Sequence, residues 1–365
     1  MRLGFALYGD LSTRTGGFLY DRMLLQSLEQ RGAEVEVIQL PWRSYPNSLI
    51  ASLLSRDPHQ LSNGKYDLLI QDELAHPSLF VANPYIREHT GTPIISIVHH
   101  LRSSEQHPGP LLAFYRRVES LYLNQLDGVI ANSPATLAEV EAMLEQNLPT
   151  VVAPPGRGHF DVSINEGAIR TRAHEPGPLE ILFLGSVIPR KRLGDLIAAI
   201  GRLPSYDIRL TVIGRDSAEK GYVRQVKSAL ASSLPVDRVR WLGEQPDAQV
   251  IEALQKSHLL VVPSSHEGFG IAYLDAMGCG VVPIGTSSGG ASAIIDHAEN
   301  GFLISPGDVD SLSGQIELLA NDRERLSRMA LKAYRRYKQQ PTWEEVTGIV
   351  YDYIEANFVK QDKRI

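Results

Sequence analysis

The run from Ser264 to Gly280 reads SSHEGFGIAYLDAMGCG and sets two carboxylates, Glu267 and Asp275, around a loop with two glycines, Gly268 and Gly270. An apolar stretch, His258 to Ser264, leads into it and reads as a buried parallel strand. After the loop, Ile271, Leu274 and Met277 recur at helical spacing. Strand, glycine turn and helix together present backbone N–H groups and the positive end of a helix dipole to an anion. The glycines let a ligand come close to the backbone. Carboxylates are pure acceptors, suited to the vicinal hydroxyls of a sugar or a ribose. One short element therefore offers donors for phosphate and acceptors for sugar. The competing reading is an ordinary strand-to-helix turn with a surface Glu and a solvated Asp.

Other residues are placed by their elements. Arg190 and Lys191 stand between an apolar strand, Leu179 to Gly185, and a helical pattern from Leu193 to Leu203. Basic groups opening a helix oppose its dipole, so an anion beside them would hold them more easily. His99 and His100 directly follow the apolar strand Pro93 to Val98. The carboxyl end of a parallel strand is where open α/β sheets bind ligands. Adjacent side chains diverge, so at most one of the pair is central. Arg102 and Glu105 follow, either lining an acceptor cleft or simply solvated. Gly16 and Gly17 end a loop between the strand Arg2 to Tyr8 and a helical pattern from Phe18 to Gln30. With the strand Ala33 to Leu40 this makes a βαβ unit, without the dinucleotide G-x-G-x-x-G spacing.

The frame holding these residues is α/β. A length of 365 residues suggests two domains. With 36 basic against 42 acidic residues, no strongly basic face for nucleic acid is expected. A single cysteine, Cys279, excludes an internal disulfide and fits a reducing compartment. No apolar run approaches about 18 residues, and Met1 runs straight into a strand, so neither a membrane span nor a signal peptide is expected. A cytoplasmic location follows as an expectation. No P-loop, H-E-x-x-H or cysteine pair is present, so no metal is expected. Residues 163–177 are polar without an apolar period and are placed as a linker between domains at 1–162 and 178–341. Thr342-Trp343-Glu344-Glu345 opens a last helix with a capping-box pattern.

The Ser264–Gly280 run resembles the Glu-x7-Glu motif of the retaining GT-B glycosyltransferases of the family-4 type, with Asp275 in place of the second Glu. The resemblance extends from the first strand to the last helix. It implies a GT-B architecture, two Rossmann-like domains facing across a cleft, with a C-terminal segment, 342–365, packing back on the first. It also implies roles. Glu267 would contact hydroxyls of the donor sugar. Asp275 would contact the nucleotide ribose, with about 1.5 Å less reach than Glu. Gly268, Phe269 and Gly270 would line the donor site. Lys191, assisted by Arg190, would neutralise the donor diphosphate, with Ser186 where many relatives carry Arg. The Gly16-Gly17 pair would lie against the donor phosphate and the acceptor. His99, with His100 as the alternate, would contact the donor sugar and the reacting centre. Pro154-Pro155-Gly156 resembles the turn that closes the first domain.

The implied activity is transfer of a hexosyl unit, with retention, from a nucleotide-diphosphate sugar to a hydroxyl acceptor such as a glycan, a lipid-linked sugar or a small molecule. No cofactor beyond the donor is implied. A helix from Leu111 to Gln125 carrying Tyr115, Arg116, Arg117 and Tyr122 reads first as a solvated face, and is also compatible with an anionic acceptor or with peripheral contact at the inner face of a membrane. The alternatives are a sugar-nucleotide epimerase or hydrolase of the same fold, and a non-catalytic nucleotide-sugar-binding protein.

Overall fold

The computed structural model describes residues 1–54 and 66–359. They fall into two compact units: Met1–Gly156 together with the segment from Thr342, and Arg157–Pro341.

In the first unit, runs of β-branched and aliphatic residues form β1 (Arg2–Tyr8), β2 (Glu34–Leu40), β3 (Leu68–Asp72), β4 (Ile94–Val98), β5 (Gly128–Ala131) and β6 (Thr150–Val152). They make one six-stranded sheet in the order β2-β1-β3-β4-β5-β6, and every pairing is parallel. Side chains of a strand point alternately to its two faces, and the core divides accordingly. Leu3, Phe5 and Leu7 pack with Leu24, Leu28, Trp343, Val346 and Val350. Ala6 and Tyr8 pack with Ile86, Tyr122, Leu123 and Val140. One face is thus closed by the helices Gly16–Gln30 and Trp343–Phe358, the other by helices that include Gly109–Leu123 and Pro134–Glu141. The helix Trp343–Phe358 has the expected capping box: Thr342 Oγ1 accepts from the Glu345 N–H and the Glu345 carboxylate accepts from the Thr342 N–H. Residues 360–365 of the expected C-terminal segment lie outside the described residues.

The second unit repeats the plan with β7 (Leu179–Leu184), β8 (Ile208–Ile213), β9 (Val239–Gly243), β10 (Leu259–Val261), β11 (Val282–Thr286) and β12 (Phe302–Ile304), in the order β12-β11-β10-β7-β8-β9. Again all pairings are parallel. In each sheet one strand sits where the winding reverses. β1 pairs with both β2 and β3, and β7 pairs with both β8 and β10. Loops leaving the carboxyl ends of strands at such a point diverge and open a crevice. The segments after β1, β7 and β10 carry Gly16-Gly17, Arg190-Lys191 and Glu267.

The structure departs from the sequence reading at 163–177. That stretch is not a linker. It contains the helix Glu166–His174, capped by the Asn165 side chain, which accepts from the Ala168 N–H at 2.9 Å. Ile169 and Ala173 are buried in the core of the second unit. Arg172 donates to the carbonyls of Gln255 at 2.8 Å and Cys279 at 2.9 Å, and to that of Gly280. The sequence signal was weak because two apolar anchors four residues apart are all the helix needs. The other turns carry charges that find partners only in the folded unit. The division between units also falls earlier than expected, after Gly156 rather than after residue 162.

The helix generates a prediction. Ile169 is fully buried, so Ile169→Ala should cost roughly 2–4 kcal/mol, read from the urea midpoint of the full chain. A substitution in a solvated linker would leave that midpoint within about 0.5 kcal/mol of wild type.

Candidate active site

In the second unit, β10 delivers the chain to Ser264 and the turn carries it to Gly270, which caps the helix Ile271–Gly278 with a left-handed backbone, φ +94°. Among the described residues no side chain caps that helix, so its first turn keeps the N–H groups that have no acceptor within the helix. The loop is anchored on both sides. The Ser265 N–H donates to the Arg190 carbonyl at 2.8 Å. The Glu267 carbonyl accepts from the Gly290 N–H at 2.7 Å. Gly289 makes that second contact feasible. Its φ is +93°, and a Cβ there would lie 2.0 Å from the Glu267 carbonyl oxygen.

Glu267 is therefore not an exposed loop carboxylate; it is 6% exposed. Its Oε1 accepts from Lys191 Nζ at 2.5 Å and Ser264 Oγ at 2.5 Å, with Arg190 Nη1 at 3.8 Å. Burial alone would raise its pKa. The ammonium of Lys191 and the guanidinium of Arg190 overcome that and hold it down to about 2, so the carboxylate stays ionised. All three contacts fall on Oε1; Oε2 takes no part in them. Arg190 is fixed in turn, donating from Nη1 to the His266 carbonyl at 2.8 Å. The structure thus joins Arg190, Lys191 and Glu267, expected from separate stretches, into one cluster beside the uncapped helix. Gly268 and buried Phe269 continue the same loop.

Asp275 lies on the second turn of that helix and joins neither Lys191 nor Glu267. Its Oδ1 is 3.4 Å from His159 Nδ1, and its side chain is 10% exposed. Burial, with Asp247 adding to it, pushes the Asp275 carboxyl well above the usual carboxylate range. His159 was missed by sequence reading, since a lone histidine in a turn after Pro154-Pro155-Gly156 carries no spacing signal.

In the first unit, Gly16 and Gly17 are not loop residues. They open the helix Gly16–Gln30, because the Thr15 hydroxyl accepts from the Phe18 N–H at 3.4 Å and caps it. Gly17 lies against the His99 ring; a Cβ at position 17 would sit 3.3 Å from His99 Cδ2. The two histidines divide as diverging neighbours must. His99 turns to the first helix, with Nε2 3.0 Å from Asp21 Oδ1. His100 turns away, with Nε2 3.0 Å from Glu105 Oε1. Around His99 lie buried acidic residues: Asp21 on the helix Gly16–Gln30, Asp72 and Glu73 at the end of β3 and, further along, Glu119 on the helix Gly109–Leu123. Burial raises Asp72 to about 7, with Asp21 adding to it, and raises Glu73 to about 8. His76, between Glu73 and Glu119, is lowered by burial to about 4. Two trios, Asp21-Asp72-His99 and Glu73-His76-Glu119, converge closely enough by spacing to take a cation. Their hydrogen bonds to each other and to backbone already engage them, and neither is assigned as a metal site.

Glu267 is buried and Lys191 largely so; removing Lys191 leaves the carboxylate Ser264 and the more distant Arg190, and removing Glu267 strands the ammonium, each a loss of up to about 3–5 kcal/mol. Glu267→Ala and Lys191→Ala should each lower thermal stability by that order, and the double variant should cost clearly less than the sum. Additive losses would show that the pair is not coupled. Glu267 has a depressed pKa, so its contribution is full above about pH 4.3, the unfolded value. It should fade as pH falls toward about 2.

Comparison with known proteins places both units. Residues 20–157 match the family described as Glycosyltransferase Family 4, and residues 167–336 match Glycosyl transferases group 1. An N-acetyl-alpha-D-glucosaminyl L-malate synthase of Bacillus anthracis is 31% identical over 169 residues, which is 45% of this chain and 43% of that protein. The chain thus spans less than half the length of that curated relative. Among solved structures, a sucrose-phosphate synthase from Thermosynechococcus elongatus superposes with a TM-score of 0.77 at 19% identity, covering 97% of this chain and 99% of that one. The Anabaena protein HepE, solved in complex with UDP and glucose, gives 0.75 at 20% identity, covering 98% and 100%.

Proposed function

Because the chain belongs to the GT-B glycosyltransferases of the family-4 type, we propose that it transfers a hexosyl unit, with retention, from a nucleotide-diphosphate sugar to a hydroxyl acceptor. The observation that carries this reading is the cluster of Glu267, Lys191 and Arg190 beside an uncapped helix N-terminus, at the point where the second sheet reverses its winding. It supplies cations and N–H groups for a diphosphate and an ionised carboxylate for sugar hydroxyls. HepE, the structural neighbour solved with UDP and glucose, is consistent with a ligand of that kind on this fold.

The chemistry asked of the protein is positioning and charge stabilisation. Lys191, Arg190 and the N–H groups of the helix Ile271–Gly278 would neutralise charge as the sugar–phosphate bond breaks. Glu267, kept ionised, would hold the sugar through Oε2. The acceptor hydroxyl would attack the face from which the phosphate leaves and pass its proton to a phosphate oxygen, so no protein nucleophile is required. The first unit would receive the acceptor, with His99 and Gly17 at the reacting centre. The donor phosphates are met by side chains and backbone in this scheme, and no metal is invoked. Among the described residues no helix is long and apolar enough to cross a membrane.

The test is product analysis. The full chain is incubated with UDP-, GDP- and ADP-hexoses labelled in the sugar, with and without a panel of hydroxyl acceptors. Label appearing in an acceptor glycoside with the anomeric configuration of the donor is the expected result. Free sugar alone, an epimerised donor, or binding without turnover would each replace the proposal.

Two substitutions test the donor contacts. Lys191→Ala should weaken nucleoside diphosphate by roughly 1.5–3 kcal/mol and spare the nucleoside; calorimetry showing equal losses would remove Lys191 from the phosphates. If Asp275 meets the ribose, wild type should discriminate against the 2′-deoxy nucleotide and Asp275→Ala should not. Equal discrimination by both would leave Asp275 only its contact with His159.

A further inference from the structure

His99 is clamped by three residues from the first two turns of the helix Gly16–Gln30. Gly17 leaves room for the ring. Tyr20 meets it edge-on, with centroids 5.2 Å apart, and is itself fixed by donating its hydroxyl to the Ala153 carbonyl at 3.0 Å. Asp21, fully buried, takes Nε2 at 3.0 Å. The other Asp21 oxygen, Oδ2, is buried with no hydrogen-bond partner among the described residues. A carboxylate so placed is not solvated, and its one side-chain partner is the imidazole. On the ring, the contact with Asp21 uses Nε2, and no described residue engages Nδ1. The ring keeps 15% of its side chain exposed.

We propose that Asp21 is the positioning residue of the reacting centre: it holds His99 as an imidazolium with Nδ1–H turned to the substrate, so His99 acts as a fixed hydrogen-bond donor and not as a base. This rests on the function proposed above, in which His99 faces the transferred sugar. The proton balance agrees with it. The acceptor proton goes to the leaving phosphate oxygen, so His99 neither gains nor loses one during turnover. The charged groups facing the ring are Asp21 from the first helix and Asp72 and Glu73 from the end of β3. Burial would lower the imidazole pKa, but Asp21 first, then Asp72 and Glu73, raise it to about 9. Arg102 faces Glu73 rather than the ring. A group with a raised pKa is fully protonated below about 6.5, the unperturbed value, and loses its proton as pH rises through about 9.

Two measurements on the full chain test this. NMR of histidine-labelled protein, assigned with His99→Gln, should show His99 titrating near 9 in wild type and about 1–3 pH units lower in Asp21→Asn. Asp21→Glu should recover part of the difference. The alkaline limb of kcat/KM should move by the same amount in the same variants, with transfer below about pH 6 least affected. His99 titrating at or below about 6.5 in wild type overturns the proposal even if Asp21→Asn does not fold. An unchanged titration in Asp21→Asn also overturns it, and leaves the glycosyltransferase reading standing. A titration that moves while the alkaline limb stays would instead remove His99 from the reacting centre. A rate that rises with pH through the His99 titration would identify it as a base and reject the donor role.

Discussion

The ion pair between Lys191 and Glu267 is the constraint on which the second unit's site depends. Two charges taken out of water are tolerated only when each has a partner and further hydrogen bonds. Here the carboxylate is met by Lys191, Ser264 and, more distantly, Arg190. These come from two segments, the turns after β7 and β10, which are adjacent in space because β7 pairs directly with β10. The pair therefore ties the loop before the helix Ile271–Gly278 to the basic turn of Pro189–Lys191. The same tie sets a sugar-type acceptor next to phosphate-type donors.

The first unit solves the opposite electrostatic problem. The end of β3 and the helices Gly16–Gln30 and Gly109–Leu123 bury Asp72, Glu73, Asp21 and Glu119. Such a group survives by raising carboxyl pKa values, as at Asp72 and Glu73, and by sharing the charge of an imidazole. Each histidine has a carboxylate oxygen 3.0 Å from a ring nitrogen. Burial drives the His76 imidazole down to about 4, whereas Asp21, Asp72 and Glu73 together outweigh burial at His99 and raise it. The two units share a sheet plan and differ in the charged groups gathered near the carboxyl ends of their strands.

Much of the fold was legible in the chain. Apolar runs such as Leu179–Leu184 and Ile94–Val98 carry buried parallel strands, and their bounds in the structure fall within a residue or two of the sequence reading. The capping box at Thr342 is a local hydrogen-bond pattern and was readable as such. The helix Glu166–His174 was not, because its stability comes from Ile169 and Arg172 meeting partners beyond residue 250. Gly16 and Gly17 read as loop because glycine is a weak helix former, yet the Thr15 cap and the tight fit against His99 draw them into the first turn.

The sequence by itself determined the residues that could do chemistry: the glycine-flanked Glu267, the basic pair Arg190-Lys191, and a histidine at the end of β4. Residue type and neighbours within a few positions suffice for that, since turns, caps and strand periodicity are local. Only the tertiary structure decided their state. Glu267 could be read as a surface carboxylate until burial and Lys191 made it an ionised buried one. His99 and His100 were interchangeable until Asp21 claimed one and Glu105 the other. Asp275 kept its place in the motif but acquired His159 as its neighbour. Protonation, pairing and orientation depend on groups brought close by sheet order from positions 78 residues away, as between Asp21 and His99, and no local pattern encodes that distance.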